Sequence, residues 1–457
     1  MRIAVITAMT LALTANAQFP KLSNDGYEIQ LTPRTVPLPV GIYAMCRYKH
    51  LVTPGKNGDK DPIVRIAEKP YIQCIALGLT WEDMEPEPGK ISAKRLQECL
   101  ERVKWASEKA GRKRPLKVLF KPYFYKIPTW MQMSGDVDKT QVAKNNIGMR
   151  VIRRPDVIRN GKKRKLYDLP LSTDKVFHSK IKQLMRCVAN FLEKYDPEGK
   201  LVPMVHYAGP GMTSNQMRPP LHDNKMFPNS GNSSFGAIWS KQKHIDSWVM
   251  LTAYMKEFPG FANRCWVFNF TNLALQDGHL SLTTEEQGLV YDALKKNHPD
   301  GPKAVICKTE SLCVNFDRRF NLNGKGKRGG YVTKNPSTGG RWRLQAFDSP
   351  ERRPYVYIMN QKYAHAWENW AGFNHNRDKR APSLYPHREL IENSLYLDID
   401  KENPSKPQGT LWVEVWVQES IAPERVKVFE DTDRKLYSIL SDWDKLIRKV
   451  LKESLNE

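Results

Sequence analysis

Eight short apolar runs, most of them separated by helical patterning, limit what this 457-residue chain can fold into. They are residues 40–47 (VGIYAMCR), 70–79 (PYIQCIALGL), 117–125 (KVLFKPYFY), 202–207 (VPMVHY), 264–269 (RCWVFN), 303–308 (KAVICK), 354–360 (PYVYIMN) and 410–418 (TLWVEVWVQ). Runs this short, rich in Val, Ile and aromatic residues, read as strands buried on both faces. The intervening segments carry apolar residues at helical spacing. In 92–110 these are Leu96, Leu100, Val103 and Ala106, with Ser92 as the cap; in 174–194 they are Ile181, Leu184, Met185 and Val188. Residues 240–258, 283–297 and 434–451 read the same way. Strands alternating with helices favour a parallel sheet. Eight of them point to the α/β class and a (β/α)8 TIM barrel with long loop insertions. An open doubly wound sheet would carry a Gly-rich phosphate loop after an early strand, and the chain has none.

The barrel is expected over residues 40–457, as one domain with insertions at about 136–169, 316–350 and 365–405. The first insertion, very basic over 150–165, reads as a solvated loop or lid. Residues 18–39, rich in Pro and polar groups, read as an extended arm. Residues 1–17 have a basic start, an apolar stretch and Ala15-Asn16-Ala17, the order of an export signal, so a secreted or periplasmic protein is expected. No later run has the length of a membrane helix. The seven cysteines include no Cys-x-x-Cys pair, so neither a disulfide scaffold nor a zinc knuckle is indicated, and buried thiols are expected. No metal set and no cofactor motif appears. The formal net charge of +23 favours polyanions. Nucleic acid ranks last among them, since no recognition motif is present.

Residues 201–220 (LVPMVHYAGPGMTSNQMRPP) combine a buried strand with a polar loop, which is where α/β barrels place their sites. Its candidates are His206 and Gln216. Trp81-x-x-x-Glu85-Pro86-x-x-Gly89, after the second run and before a helix, resembles retaining glycoside hydrolases of the β-galactosidase and cellulase kind. The likeness is clearest over 40–131, including Pro128-Thr129-Trp130-Met131. It implies a (β/α)8 barrel with an acid/base carboxylate after the fourth strand and a nucleophile after the seventh. It also implies that the Glu-Pro element is a structural turn beside the site. The chain departs at both carboxylate positions. The fourth run leads to Ala208-Gly209-Pro210-Gly211, with Gln216 the nearest candidate, and the seventh to Asn360-Gln361-Lys362.

Other acids are therefore needed. Glu310 follows the sixth run and shares a strand face with Lys308. Glu414 lies between Trp412 and Trp416 on one face of the eighth run, while Val413, Val415 and Val417 take the other. Glu414 is expected either as a carboxyl of raised pKa or one that recognises sugar, or as a structural group paired with Lys308 or Lys121. Glu368, in Ala366-Trp367-Glu368-Asn369-Trp370, is the third candidate, on the last insertion. Trp81, Tyr123, Trp130, Trp367 and Trp416 offer flat faces to sugar rings. His206, Gln216, Asn269 and Lys308 offer hydrogen bonds to hydroxyls. The expected partner is a polysaccharide, in particular an anionic one, cut by a secreted hydrolase. A barrel that binds glycan without cutting it, and a lyase using Lys or His as base, are the alternatives.

Overall fold

The computed structural model describes residues 28–55, 61–124, 126–137, 141–153, 157–159, 162–164, 168–207, 241–270, 284–310, 365–368, 410–416, 445 and 448–449. Eight parallel strands close into a barrel. They are β1 (Gly41–Arg47), β2 (Ile72–Thr80), β3 (Lys117–Tyr123), β4 (Met204–His206), β5 (Cys265–Phe270), β6 (Val305–Glu310), β7 (His365–Glu368) and β8 (Thr410–Trp416). Each pairs with the next in chain order, and β8 pairs with β1 to complete the ring. The ladder has no open edge, and β1 to β4 are nearly all buried, which explains their apolar sequences.

Seven of the eight expected strands fall on their runs. The seventh does not. β7 is His365–Glu368, a stretch expected to be insertion, and residues 354–360 lie outside the described residues. A four-residue strand reading His-Ala-Trp-Glu has too little apolar character to stand out by pattern. Pairing with β6 and β8 supplies what its own sequence does not.

Helix α1 (Lys94–Lys109) buries Leu96, Cys99, Leu100, Val103 and Ala106, the three-and-four spacing of a single apolar stripe. The N-cap is Ala93 rather than the expected Ser92, which stands one residue earlier and accepts the Lys94 N–H through Oγ at 3.1 Å. Helix α2 (Lys175–Tyr195) is capped by Asp174, whose carboxylate accepts from Val176 N (2.9 Å) and Phe177 N (3.1 Å). Helices α3 (Lys241–Lys256) and α4 (Thr284–Asn297) follow β4 and β5. Of the expected closing helix, only positions 445, 448 and 449 are described, and they are helical.

The insertion between β3 and α2 is built rather than a bare loop. Strands Gln141–Lys144, Arg150–Arg153 and Leu169–Pro170 form an antiparallel sheet, and Val157–Arg159 pairs with Lys162–Arg164 as a hairpin. Asn145 Oδ1 accepts the N–H groups of Ile147 and Met149, closing a turn in which Gly148 takes a left-handed φ of 76°. Arg153 fastens the sheet by donating to Ser134 O (2.8 Å) and Gly135 O (2.6 Å), and Asp168 accepts from Met133 N at 2.8 Å.

The N-terminal ends of the strands are closed by buried polar ties. The Arg264 guanidinium, fully buried, donates to Val202 O (2.9 Å), Gly260 O and Asp196 O, joining the starts of β4 and β5 to the end of α2. Strands Glu28–Ile29 and Leu38–Pro39 make a small ribbon, and Thr32 Oγ1, in the loop between them, donates to Asp300 Oδ2 (2.5 Å) just ahead of β6. The described thiols Cys46, Cys74, Cys99, Cys187, Cys265 and Cys307 are all free, and Cys313 lies outside the described residues. No helix among the described residues is long and apolar enough to cross a membrane.

Gly260 marks where α2 meets the barrel base: a Cβ built there would lie 2.1 Å from Ala189 O. Gly260→Ala is therefore expected to destabilise by about 1–3 kcal/mol, because backbone rather than a side-chain tip must move. The check is a lower urea midpoint at unchanged slope; an unaltered midpoint would refute the packing described.

Candidate active site

One interior face can be followed from strand to strand round the barrel, with register shifts at His365/Ala366 and Ile42/Tyr43. Its N-terminal half is mostly apolar: Tyr43, Cys74, Leu119, Met204, Val267, Ile306 and Trp412 are buried there. Tyr43 stacks on Trp412 with ring centres 4.8 Å apart. The C-terminal half is polar, with Lys121 of β3, His206 of β4, Asn269 of β5, Lys308 of β6 and Glu414 of β8, all buried. Polar groups gathered at the C-terminal half of a barrel interior are where chemistry is expected, and the other end serves stability.

Glu414 is the hub. Its Oε2 accepts from Lys121 Nζ at 2.7 Å and from Lys308 Nζ at 3.1 Å, and its Oε1 from Trp412 Nε1 at 3.3 Å. Burial alone would raise its pKa. The two ammonium groups, Lys121 first, reverse this and hold it down to about 2. The expectation of a raised pKa is thereby corrected, and the paired alternative holds. A carboxylate so held is ionised at neutral pH, the form that suits pairing with Lys121 and Lys308 rather than proton donation. His206 lies beside this cluster, and neither ring nitrogen has a hydrogen-bond partner among the described residues. Burial, then Lys308 and Lys121, push its pKa well below the ordinary range, so the imidazole is neutral.

Glu310 and Glu368 are in register with each other at the C-terminal ends of β6 and β7, and Glu368 is in register with Glu414. Neighbouring strands lie about 4.8 Å apart, which sets the spacing of the Glu310 and Glu368 backbones. Period two puts position 310 on the face of Lys308. Position 368 is the last residue of the seventh strand, so a carboxylate stands there after all. It was missed as a strand end because the longer apolar run at 354–360 outweighed it.

The aromatic candidates divide. Trp81 is fully buried, its Nε1 donating to Glu85 Oε2 at 2.8 Å, so no face of the indole is open to a ligand. Position 367 is in register with 309 and 413, and position 416 with 45. Tyr123 ends β3 with its ring over Gly78, where a Cβ would lie 2.1 Å from Cε2. Trp130 is half-buried and donates through Nε1 to Glu85 O at 3.0 Å. Gln216 lies outside the described residues.

The Trp-x-x-x-Glu-Pro element is a rim brace. Thr80 and Asp83 form a reciprocal cap on the short helix Trp81–Met84. The buried Glu85 carboxylate accepts from Trp81 Nε1, Gly89 N (3.0 Å) and Lys180 Nζ (2.8 Å). Gly89 has a φ of 75°, which explains the glycine. The motif thus fixes one side of the mouth to helix α2, as a structural turn should. Among the described residues no group of three or more His, Cys, Asp or Glu could hold a metal ion.

No family model and no curated protein matches the chain. Solved structures to which it is similar are mostly glycoside hydrolases. One is a tri-modular endo-β-1,4-glucanase from Bacillus halodurans, 12% identical, with TM-score 0.45, covering 89% of this chain and 60% of that one. Another is an exo-β-1,4-mannosidase from an Opitutaceae bacterium, 12% identical, with TM-score 0.41, covering 95% and 63%. The chain thus spans under two thirds of either protein's length. Morphinone reductase is similar to the same degree, at 12% identity and TM-score 0.41 over 89% and 91%. A likeness shared by hydrolases and a reductase does not select a chemistry.

The Glu414 cluster has a pH signature. A carboxyl whose folded pKa lies below its unfolded value of about 4.3 stabilises above that value, and the contribution is lost as pH falls towards 2. The urea-midpoint gap between the native protein and Glu414→Gln is expected to be constant from about pH 7 to 5 and to narrow below about pH 4. A gap indifferent to pH would show that the carboxylate is not held ionised.

Proposed function

We propose that the chain is a glycoside hydrolase acting on a polysaccharide at the C-terminal mouth of the barrel, with Glu368 and Glu310 as its carboxylate pair. The observation that carries this is their register on adjacent strand ends. Adjacent strands about 4.8 Å apart bring the two backbones close enough to support a carboxyl pair of the kind retaining enzymes use. Glu368 closes the seventh strand, where the resemblance expects the nucleophile.

The chemistry then has two steps. The Glu368 carboxylate attacks the anomeric carbon as the glycosidic C–O bond breaks, and Glu310 gives its proton to the departing oxygen. Water next attacks the glycosyl–Glu368 ester, returning a proton to Glu310 and releasing Glu368 as carboxylate. Lys308, two residues before Glu310, holds Glu414 and so fixes the β6 backbone that carries the acid. Secretion is supported by residues 1–17 and an anionic substrate by the net charge of +23.

The test is release of reducing ends from sulfated, carboxylated and neutral polysaccharides. Glu368→Gln and Glu310→Gln are each expected to lose roughly 10²–10⁴-fold or more in kcat, and azide is expected to restore turnover to Glu368→Ala by replacing its oxygen nucleophile. Full activity in Glu368→Gln would end the assignment. Polymer binding without release by the native protein would favour the glycan-binding barrel instead.

A further inference from the structure

His206 alone among the buried histidines described has nothing bonded to its ring. His178 Nε2 donates to Ser172 O at 2.5 Å, and His244 Nδ1 is bonded to Ser172 Oγ. His298 donates to Arg264 O at 2.9 Å and accepts from Asp300 N at 3.0 Å. Both ring nitrogens of His206 are buried, and neither has a hydrogen-bond partner among the described residues. At 1% exposure, bulk water does not serve them either. The Tyr207 backbone is near enough to act on the ring electrostatically, without the geometry of a hydrogen bond. A buried polar group in this state has lost its bonds to water and gained none in return, and folded proteins keep few of them.

The ring stands at the end of the barrel where ligands enter. His206 is the last residue of β4. Met204, two residues earlier, accepts from the Tyr43 hydroxyl through Sδ at 3.8 Å inside the barrel, and alternation puts His206 on that same face. Tyr207 turns the other way, and its hydroxyl donates to Trp248 O of α3. Tyr43, Met204 and Trp412 fill the interior below, and the closed ladder leaves no opening in the wall. The C-terminal mouth is the remaining approach.

The charge state of the ring narrows what can meet it. Burial, Lys308 and Lys121 outweigh the opposing pull of Glu414 and keep the imidazole neutral. A neutral imidazole has one N–H that donates and one bare nitrogen that accepts. A sulfate or carboxylate could take the N–H but has no hydrogen for the other nitrogen. A hydroxyl both donates and accepts, and a sugar ring carries several side by side. We infer that His206 is a sugar-binding residue, its ring nitrogens bonding to hydroxyls of a glycan lodged in the mouth at the end of β4. The contact rests on the glycan reading of the barrel and deepens it: the net charge of +23 speaks to the anionic groups of a polymer, and His206 to the sugar ring itself.

The full chain is compared with His206→Phe, which keeps a planar ring and removes both nitrogens, and with His206→Gln, which keeps a donor and an acceptor. Stability is read as the urea midpoint, and affinity by calorimetry for soluble oligosaccharides of glucose, mannose, galactose and galacturonate. Neither reading needs turnover. His206→Phe is expected to hold or raise the midpoint, because the free protein loses no bond, and to weaken binding of the preferred oligosaccharide by about tenfold or more. His206→Gln is expected to recover part of that loss. In the native protein the ring nitrogen resonances of His206 are expected to shift on saturation with the same oligosaccharide. A histidine that serves only the fold gives the reverse pattern, a lowered midpoint with unchanged affinity. That result, or ring resonances that the sugar leaves unmoved, would overturn the proposal and leave the hydrolase reading standing. A native chain that binds none of these sugars would end the glycan reading, and this contact with it.

Discussion

Two lysines and one glutamate, from three strands spaced round the barrel, meet inside it and satisfy one another. Removing Glu414 leaves two buried ammonium groups without their shared anion, at a cost of about 3–5 kcal/mol, although such ties add little over an apolar core of the same shape. Their effect is on geometry. Lys121, Lys308 and Glu414 tie β3, β6 and β8 together across the barrel interior. A Lys308 held to Glu414 fixes the backbone two residues before Glu310, and a Glu414 held by two cations fixes the strand in register with Glu368. The carboxylates assigned to chemistry thus stand next to one assigned to order.

The same division runs through the rim. Trp81 and Glu85 are the residues by which the chain resembles a hydrolase family, and both are buried in a bonded network. What the motif preserves is the shape of a turn and its attachment to α2. A shared motif of this sort speaks for a barrel mouth built in a particular way, and the reaction must be argued from the strand ends.

Seven strands and the main helices were legible because each carries its own pattern: apolar runs for strands buried on both faces, and three-and-four spacing for α1 and α2. The pairing of Glu414 with lysine was legible too, because a carboxylate inside a barrel needs a partner. β7 was not. Four residues, two of them His and Glu, owe their strand state to the neighbours on either side, and no local pattern encodes that. Trp81 misled for a related reason: an indole at a strand end can face a sugar or the core, and the choice depends on Glu85, four residues on, turning inward to meet it. The basic insertion read as a loop because charge runs are usually solvated, and its ribbon pairing rests on turns and register that composition does not report.

The ribbon at the base of the barrel has a bearing on how the chain is made. Thr32 and Arg34 reach Asp300, and the hydroxyl and carboxylate that bond there are separated by 268 residues of sequence. On a ribosome this tie cannot form until the start of β6 has been synthesised, although Glu28 can meet Arg114 and Lys117 earlier, and the barrel cannot close until β8 has followed. For most of its synthesis the nascent chain is an open curl of parallel strands with two unpaired borders. Such species are slow to complete and prone to associate, so the interval before closure is where this protein is most in need of chaperoning.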